Sequence, residues 1–137
     1  MSKKFSFPVD CPCGSGKPYK QCCGPFHFGD DAPPTAEALM RSRYSAYAMR
    51  KTDYLLATWH PETRPQELDL SSDTTKWTGL TIVTTEGGTP NDLEGTVEFV
   101  ARYKIGGRAA KLAEKSRFER IGGRWLYLDG QVEGDEE

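Results

Sequence analysis

The stretch Thr96-Val97-Glu98-Phe99-Val100-Ala101-Arg102-Tyr103 sets Val97, Phe99, Ala101 and Tyr103 at alternate positions, with Thr96, Glu98, Val100 and Arg102 between them. Side chains alternate across a strand with a period of two, so this stretch predicts a strand with one face on a core. The same period extends in both directions. Upstream, Leu80 and Ile82 alternate with polar partners from Lys76 until Gly87-Gly88 interrupts the pattern. Downstream, Gly106-Gly107 marks a turn into a strand from about Arg108 to Arg120, and Gly122-Gly123 can supply the positive φ of a two-residue hairpin into Arg124–Leu128. With Gly122 and Gly123 as the loop, Ile121 faces Arg124 and Phe118 faces Tyr127. Leu112, Glu114, Ser116 and Phe118 are then expected to share a face with Trp125, Tyr127 and Asp129, leaving Lys115, Arg117, Glu119 and Arg124 on the wetter side.

Before the strands the period changes. Leu39, Met40, Tyr44, Tyr47 and Ala48 fall at helical spacing between Ala36 and Met49, with Arg41, Arg43 and Arg50 expected on the surface, Thr35 placed as N-cap and Glu37 at the positive end of the helix dipole. A second short helix is expected from Thr52-Asp53, carrying Tyr54, Leu55 and Trp59 until Pro61 stops it. Arg64-Pro65 opens an irregular stretch, and the acidic end Glu133–Glu137 is expected to fray. Helices first and antiparallel strands afterwards make an α+β fold.

A chain of 137 residues is one ordinary domain with room for a short appendage. Its 36% hydrophobic and 28% charged residues are a globular balance. A net charge of −2 argues against a general nucleic-acid binder, and no sequence-specific DNA contact is expected. No apolar run approaches the roughly 20 residues of a membrane span, and Met1-Ser2-Lys3-Lys4-Phe5 lacks the apolar core of a signal peptide, so a cytoplasmic location is expected.

The cysteines carry the sharpest chemistry. Cys11, Cys13, Cys22 and Cys23 lie in Cys11-Pro12-Cys13-Gly14-Ser15-Gly16-Lys17-Pro18-Tyr19-Lys20-Gln21-Cys22-Cys23-Gly24, and no other cysteine occurs. A disulfide framework spreads its cysteines to close long loops, whereas two close pairs can each supply half of a zinc tetrahedron. Residues 1–30 show no periodicity and could not fold alone without such a crosslink. One structural Zn²⁺ on these four cysteines is expected, its negative charge offset by Lys17 and Lys20, with His27 as a less well spaced substitute ligand. Four thiolates leave no open position for water, so the metal is not expected to be catalytic. Cys22-Cys23 is a poor redox pair, because a disulfide between neighbours strains the ring. Gly14-Ser15-Gly16-Lys17 lacks the spacing and strand-to-helix context of a phosphate loop.

On these residues the segment resembles the SEC-C motif, the zinc-binding tail of the SecA translocation ATPase, where it contacts the SecB chaperone and the ribosome. The rest of the chain resembles the YchJ-type family of bacterial proteins, which join an N-terminal SEC-C motif to an NTF2-like domain. That resemblance rests on Cys22–His27, Leu39–Tyr47, Asp53–Pro61 and Gly123–Gly130. It departs at Leu126, often aromatic in the family, and in the acidic C-terminal end, where longer members carry a second cysteine motif. The resemblance implies a SEC-C-like zinc motif over residues 1–30 and an NTF2-like domain over 31–137, a cone of N-terminal helices and a curved antiparallel sheet enclosing a pocket.

With that cone in place, the hairpin register offers Glu114, Ser116, Trp125, Tyr127 and Asp129 as pocket residues, joined by Trp59 and His60 from the second helix. Two functions follow. A non-enzymatic interaction module would use the zinc knuckle as a recognition tip toward a protein partner, the ribosome or a chaperone. A small-molecule isomerase or hydratase would use Glu114 or Asp129 as a base in an apolar cavity, and a small-molecule ligand there is the corresponding partner. His60 before Pro61 equally suits a helix-end residue bonded to backbone. The basic run Arg102, Lys104, Arg108, Lys111, Lys115, Arg117, Arg120 and Arg124 suits either a solvated strand surface or a face for RNA or acidic protein.

Overall fold

A computed structural model of the chain describes residues 10–132; the expectations for the first five residues and for Glu133–Glu137 lie outside the described residues. Four antiparallel strands, β1 (Lys76–Gly87), β2 (Glu94–Ile105), β3 (Arg108–Ile121) and β4 (Arg124–Val132), pair in chain order as a meander. The first link spans residues 88–93 and the other two are two-residue turns; in the last one Gly122 and Gly123 hold φ of 60° and 83°, the left-handed values a two-residue hairpin requires.

Helices precede the sheet: α1 (Gly24–Phe28), α2 (Ala36–Ala48) and α3 (Thr52–Ala57), with a 3-10 turn at Tyr19–Gln21. Thr35 caps α2, its Oγ1 accepting from the Ala38 amide at 3.0 Å. α3 stops at Ala57, short of Pro61, because the chain then turns to run beside β4. There His60 N donates to Tyr127 O at 2.7 Å and Tyr127 N to Thr58 O at 2.8 Å, which covers the polar edge of β4. No helix among the described residues is long and apolar enough to cross a membrane.

The period-two reading of β2 places its alternate residues inward: Val97, Phe99 and Ala101 are buried against Leu39, Met40 and Tyr44 of α2. Phe118 and Trp125 extend this core, each worth about 1.5–3 kcal/mol relative to exposure. The thiols of Cys11, Cys13 and Cys23 belong to the same cluster, so the cysteine segment is packed on the body rather than tethered beside it.

The register reading holds from Ile121↔Arg124 to Phe118↔Tyr127 and then changes. The next pair is Arg117↔Asp129, which leaves Leu128 as an extra residue on β4. This bulge reverses the facing of everything beyond it. Asp129 therefore lies on the outer side beside Arg117, contrary to the expected inward face, and Gly130 comes to lie opposite Ser116. Thr63 secures the bulge, its hydroxyl donating to Leu128 O at 2.6 Å. β1 has like irregularities at Thr78 and Val83, and bulges of this kind bend a sheet.

Candidate metal centre and inner cavity

Two local turns assemble the thiols. Cys11 N donates to Lys17 O at 2.9 Å and Gly14 N to Cys11 O at 3.1 Å, folding Cys11 and Cys13 to one side of a tight loop. The 3-10 turn and the start of α1 deliver the second pair, with Cys22 N on Tyr19 O at 3.0 Å and His27 N on Cys23 O at 3.0 Å. The four Sγ atoms lie within 4.8 Å of one another. Cys13 and Cys22 Sγ are 3.6 Å apart, close to the roughly 3.8 Å between sulfurs that a tetrahedron with about 2.3 Å metal–sulfur bonds demands. All four are free thiols, three of them buried. The residues present fit a closed tetrahedral site, and a metal bound there would supply a crosslink that the segment's few apolar contacts cannot.

Protonation within the cluster follows from crowding. Hydrogen bonds from Cys13 and then Cys23 hold the Cys11 thiol well below the ordinary range. Cys23 is pushed up, first by its bonds to Cys11 and Cys13 and then by burial, and burial raises Cys22. Thiols this close share one negative charge when no cation balances them.

The body contributes a surrounding layer. Ser45 Oγ on α2 lies 3.3 Å from Cys23 Sγ and 3.5 Å from Cys11 Sγ, and Ser15 Oγ lies 3.1 Å from Cys22 Sγ. Arg41 donates from Nη1 to Cys13 O at 3.1 Å while its Nε holds Glu37 at 3.0 Å. The cation nearest the cluster in hydrogen-bond terms is thus Arg41, whereas Lys17 and Lys20 are exposed. His27 is committed elsewhere: Nε2 donates to Ser42 O at 2.8 Å and Nδ1 accepts from Tyr19 O–H at 2.6 Å. It braces α1 on α2 and stays out of the cysteine cluster.

A cavity of about 230 Å³ lies between α2 and the inner sheet face. Among the expected pocket residues, Glu114, Ser116 and Tyr127 line it. Glu114 accepts from Ser116 Oγ at 2.8 Å, and its carboxylate folds over Gly130, where a Cβ would stand 1.8 Å from Oε2. Trp59 lies one layer behind: the Arg43 guanidinium is 4.8 Å from the Trp59 ring centroid and 4.6 Å from that of Tyr127.

The other three expected residues are elsewhere. His60 takes the Glu62 amide on Nδ1 at 3.0 Å and meets Glu119 through Nε2 at 3.0 Å. Trp125 is buried and donates from Nε1 to Pro34 O at 3.2 Å, fixing the lead-in to α2. Asp129 makes a two-pronged outer-face ion pair with Arg117 at 2.7 and 2.6 Å, which lowers its pKa. Of the two carboxylates considered as a base, only Glu114 has the cavity.

Arg43 and Trp77 are the cavity residues that pattern alone did not single out. Arg43 sits on the buried face of α2 at 3% exposure, where helical spacing calls for an apolar residue. The surface position expected for Arg43 is thus wrong, because its guanidinium packs against the Trp59 and Tyr127 rings inside the domain. Trp77 is the second residue of β1, and nothing in its surroundings in the chain sets it apart.

Comparison with known proteins agrees with both halves of this geometry. Residues 35–130 match the YchJ middle NTF2-like domain, and residues 10–25 match the SEC-C motif. A UPF0225 protein of Chromobacterium violaceum is 53% identical over 135 residues, covering 96% of this chain and 99% of that protein. A UPF0225 protein of Streptomyces coelicolor is 52% identical over 121 residues, covering 88% and 94%. The solution structure of a SEC-C motif containing protein from Rhodopseudomonas palustris superposes with a TM-score of 0.80 at 35% identity, covering 90% of this chain and 98% of that one. The crystal structure of a SEC-C motif containing protein from Psychrobacter arcticus gives a TM-score of 0.74 at 28% identity, covering 93% and 84%.

Proposed function

The chain belongs to the YchJ family, a SEC-C motif joined to an NTF2-like domain, and on that premise we propose that it is a non-enzymatic interaction module held together by one structural Zn²⁺. The observation that carries this reading is the convergence of four thiols within 4.8 Å. A four-sulfur donor set offers soft ligands and tetrahedral geometry, which favour zinc, and it leaves no position for water. The ion therefore shapes a surface rather than a reaction. That surface is the outside of the knuckle, where Lys17, Lys20 and Gln21 are exposed and Phe28 is 62% exposed. Two lysines and a bare aromatic ring suit an acidic partner, in the ribosome or in the chaperone and secretion machinery.

Native mass spectrometry before and after acid treatment tests the metal, with alkylation of the four thiols as the second reading. One zinc and four shielded thiols are expected. Affinity capture from bacterial lysate then tests the partner: ribosomal or chaperone proteins should be enriched, and both Cys22→Ser and the zinc-retaining pair Lys17→Glu, Lys20→Glu should abolish the enrichment. Capture that survives loss of zinc overturns the interaction reading, and freely alkylated thiols in zinc-replete protein overturn the metal.

A further inference from the structure

The inner cavity is separate from the metal centre, and its charges are unusual for a simple packing gap. Two opposite charges line it, Glu114 on β3 and Arg43 on α2. Among the described residues neither forms an ion pair, with the other or with any third group. Glu114 is held by the Ser116 hydroxyl at 2.8 Å. Arg43 is held at its far end, where Nη1 donates to Leu55 O and Thr58 Oγ1 at 2.8 Å. Arg43 is buried and Glu114 half-buried; burying a charge without a counter-ion costs several kcal/mol, and opposite charges lining one cavity would ordinarily pair. Here separate anchors keep them apart.

A third group is also short of a partner. Trp77 lines the cavity, and its indole N–H is buried without a hydrogen bond among the described residues. A buried donor left unpaired costs about 1–3 kcal/mol. The rest of the wall is apolar at Met40, Phe99, Ala101 and Leu112 and carries the phenol rings of Tyr44, Tyr47 and Tyr127. One fixed anion and one fixed cation around a mostly apolar space match a molecule that is neutral overall but dipolar. A volume of about 230 Å³ is below that of a drug-sized site and admits on the order of ten non-hydrogen atoms.

We propose that this cavity binds a small zwitterion of the α-amino-acid kind with an apolar side chain, its ammonium at Glu114, its carboxylate answered by Arg43, and its side chain against Phe99, Ala101 and Leu112. Gly130 belongs to the site because any side chain there would displace the Glu114 carboxylate. Ala101, 2% exposed between larger inward residues on β2, keeps the floor of the cavity open. This site owes nothing to the zinc reading and stands or falls without it.

Isothermal titration calorimetry on the full metal-loaded chain tests it, with L-leucine, L-methionine and L-phenylalanine as probes. At least one should bind with a Kd at or below about 1 mM. The matching amine and the matching carboxylic acid, each lacking one charge, should bind about tenfold more weakly or worse. Glu114→Gln should weaken binding by about tenfold, and Ala101→Leu should abolish it by filling the space. Circular dichroism and melting establish that each variant is folded, and Ala101→Val replaces the leucine variant if that one unfolds. Failure of all three probes to bind overturns the proposal. So does a single-charge analogue that binds as tightly as its parent, or a folded Glu114→Gln variant with unchanged affinity.

Discussion

Ser45 on α2 and Cys23 at the start of α1 are joined by a 3.3 Å hydrogen bond, Oγ to Sγ. The same hydroxyl lies 3.5 Å from Cys11 Sγ, so one side chain of the body reaches both cysteine pairs of the knuckle. Outer partners of this kind orient ligands and typically contribute about 10–100-fold in metal affinity. Ser45→Ala should therefore release zinc to a chelator about 10–100-fold more readily while leaving the stoichiometry at one. Competition with a chromogenic chelator reads this directly. An equal effect from Ser71→Ala, on the exposed loop, would show that the loss is not specific to the cluster.

Metal loading should depend steeply on pH, and the sign follows from the thiols. Cys23 and Cys22 are raised above the ordinary thiol range, so near neutrality they hold protons that a metal must displace. Loading then releases protons, and apparent affinity rises with pH until the thiols ionise unaided. Calorimetric titration with zinc in buffers of different ionisation enthalpy should show release of more than one proton at neutral pH. An unchanged affinity between mildly acidic and mildly alkaline buffer would contradict this assignment.

The alternation at Val97, Phe99 and Ala101 was enough to orient the sheet, because only one face can be apolar when the other is wet. The Gly122-Gly123 pair was enough to set the register, because a two-residue loop leaves one pairing. That pairing failed after Tyr127. A bulge at Leu128 depends on Thr63 and on the Arg117–Asp129 pair, which are tertiary contacts with no local signature. One unpaired residue therefore exchanged Asp129 for Gly130 on the inner face. The cysteine spacing announced the four thiols, but Ser45 and Arg41 lie on a helix whose packing partner cannot be known before the knuckle is docked. Arg43 was hidden for a similar reason: a buried guanidinium looks like a surface charge until the edge-to-face pair Trp59 and Tyr127 is placed against it.

His27 should titrate below the ordinary histidine range, chiefly because burial disfavours the charged ring, an effect that outweighs the Ser42 carbonyl bond. With the folded value depressed, the protonated ring is favoured in the unfolded chain. The contribution to stability is then complete above the unfolded value of about 6.5 and is lost as pH falls through the lower folded value. Proton NMR of the ring in the zinc-loaded protein gives the value, and His27→Gln should flatten this part of the stability profile. A ring titrating at or above about 6.5 would mean that His27 is not buried against α2 as described.

Gly130→Ala tests the inner face most directly, since two opposing effects have to be weighed. An alanine loses less backbone freedom on folding than glycine, which alone would stabilise the protein by about 0.4–1 kcal/mol. Against that, the new methyl would stand 1.8 Å from Glu114 Oε2 and 2.7 Å from its Cδ. The carboxylate is the far end of a flexible side chain, so it can swing away, but only by giving up the Ser116 hydroxyl at 2.8 Å. Losing a hydrogen bond to a charged group costs about 1.5–3 kcal/mol, so the loss exceeds the gain and net destabilisation of about 1–2 kcal/mol is expected. In a Glu114→Ala background the two nearest obstructing atoms are gone, and the Ser116 hydroxyl, next nearest at 3.1 Å, can rotate away. There the same substitution should be neutral or stabilising, and urea melts of the four proteins give the coupling between positions 114 and 130. Equal effects of Gly130→Ala in both backgrounds would place the Glu114 carboxylate away from Gly130 and would return β4 to the unbulged register.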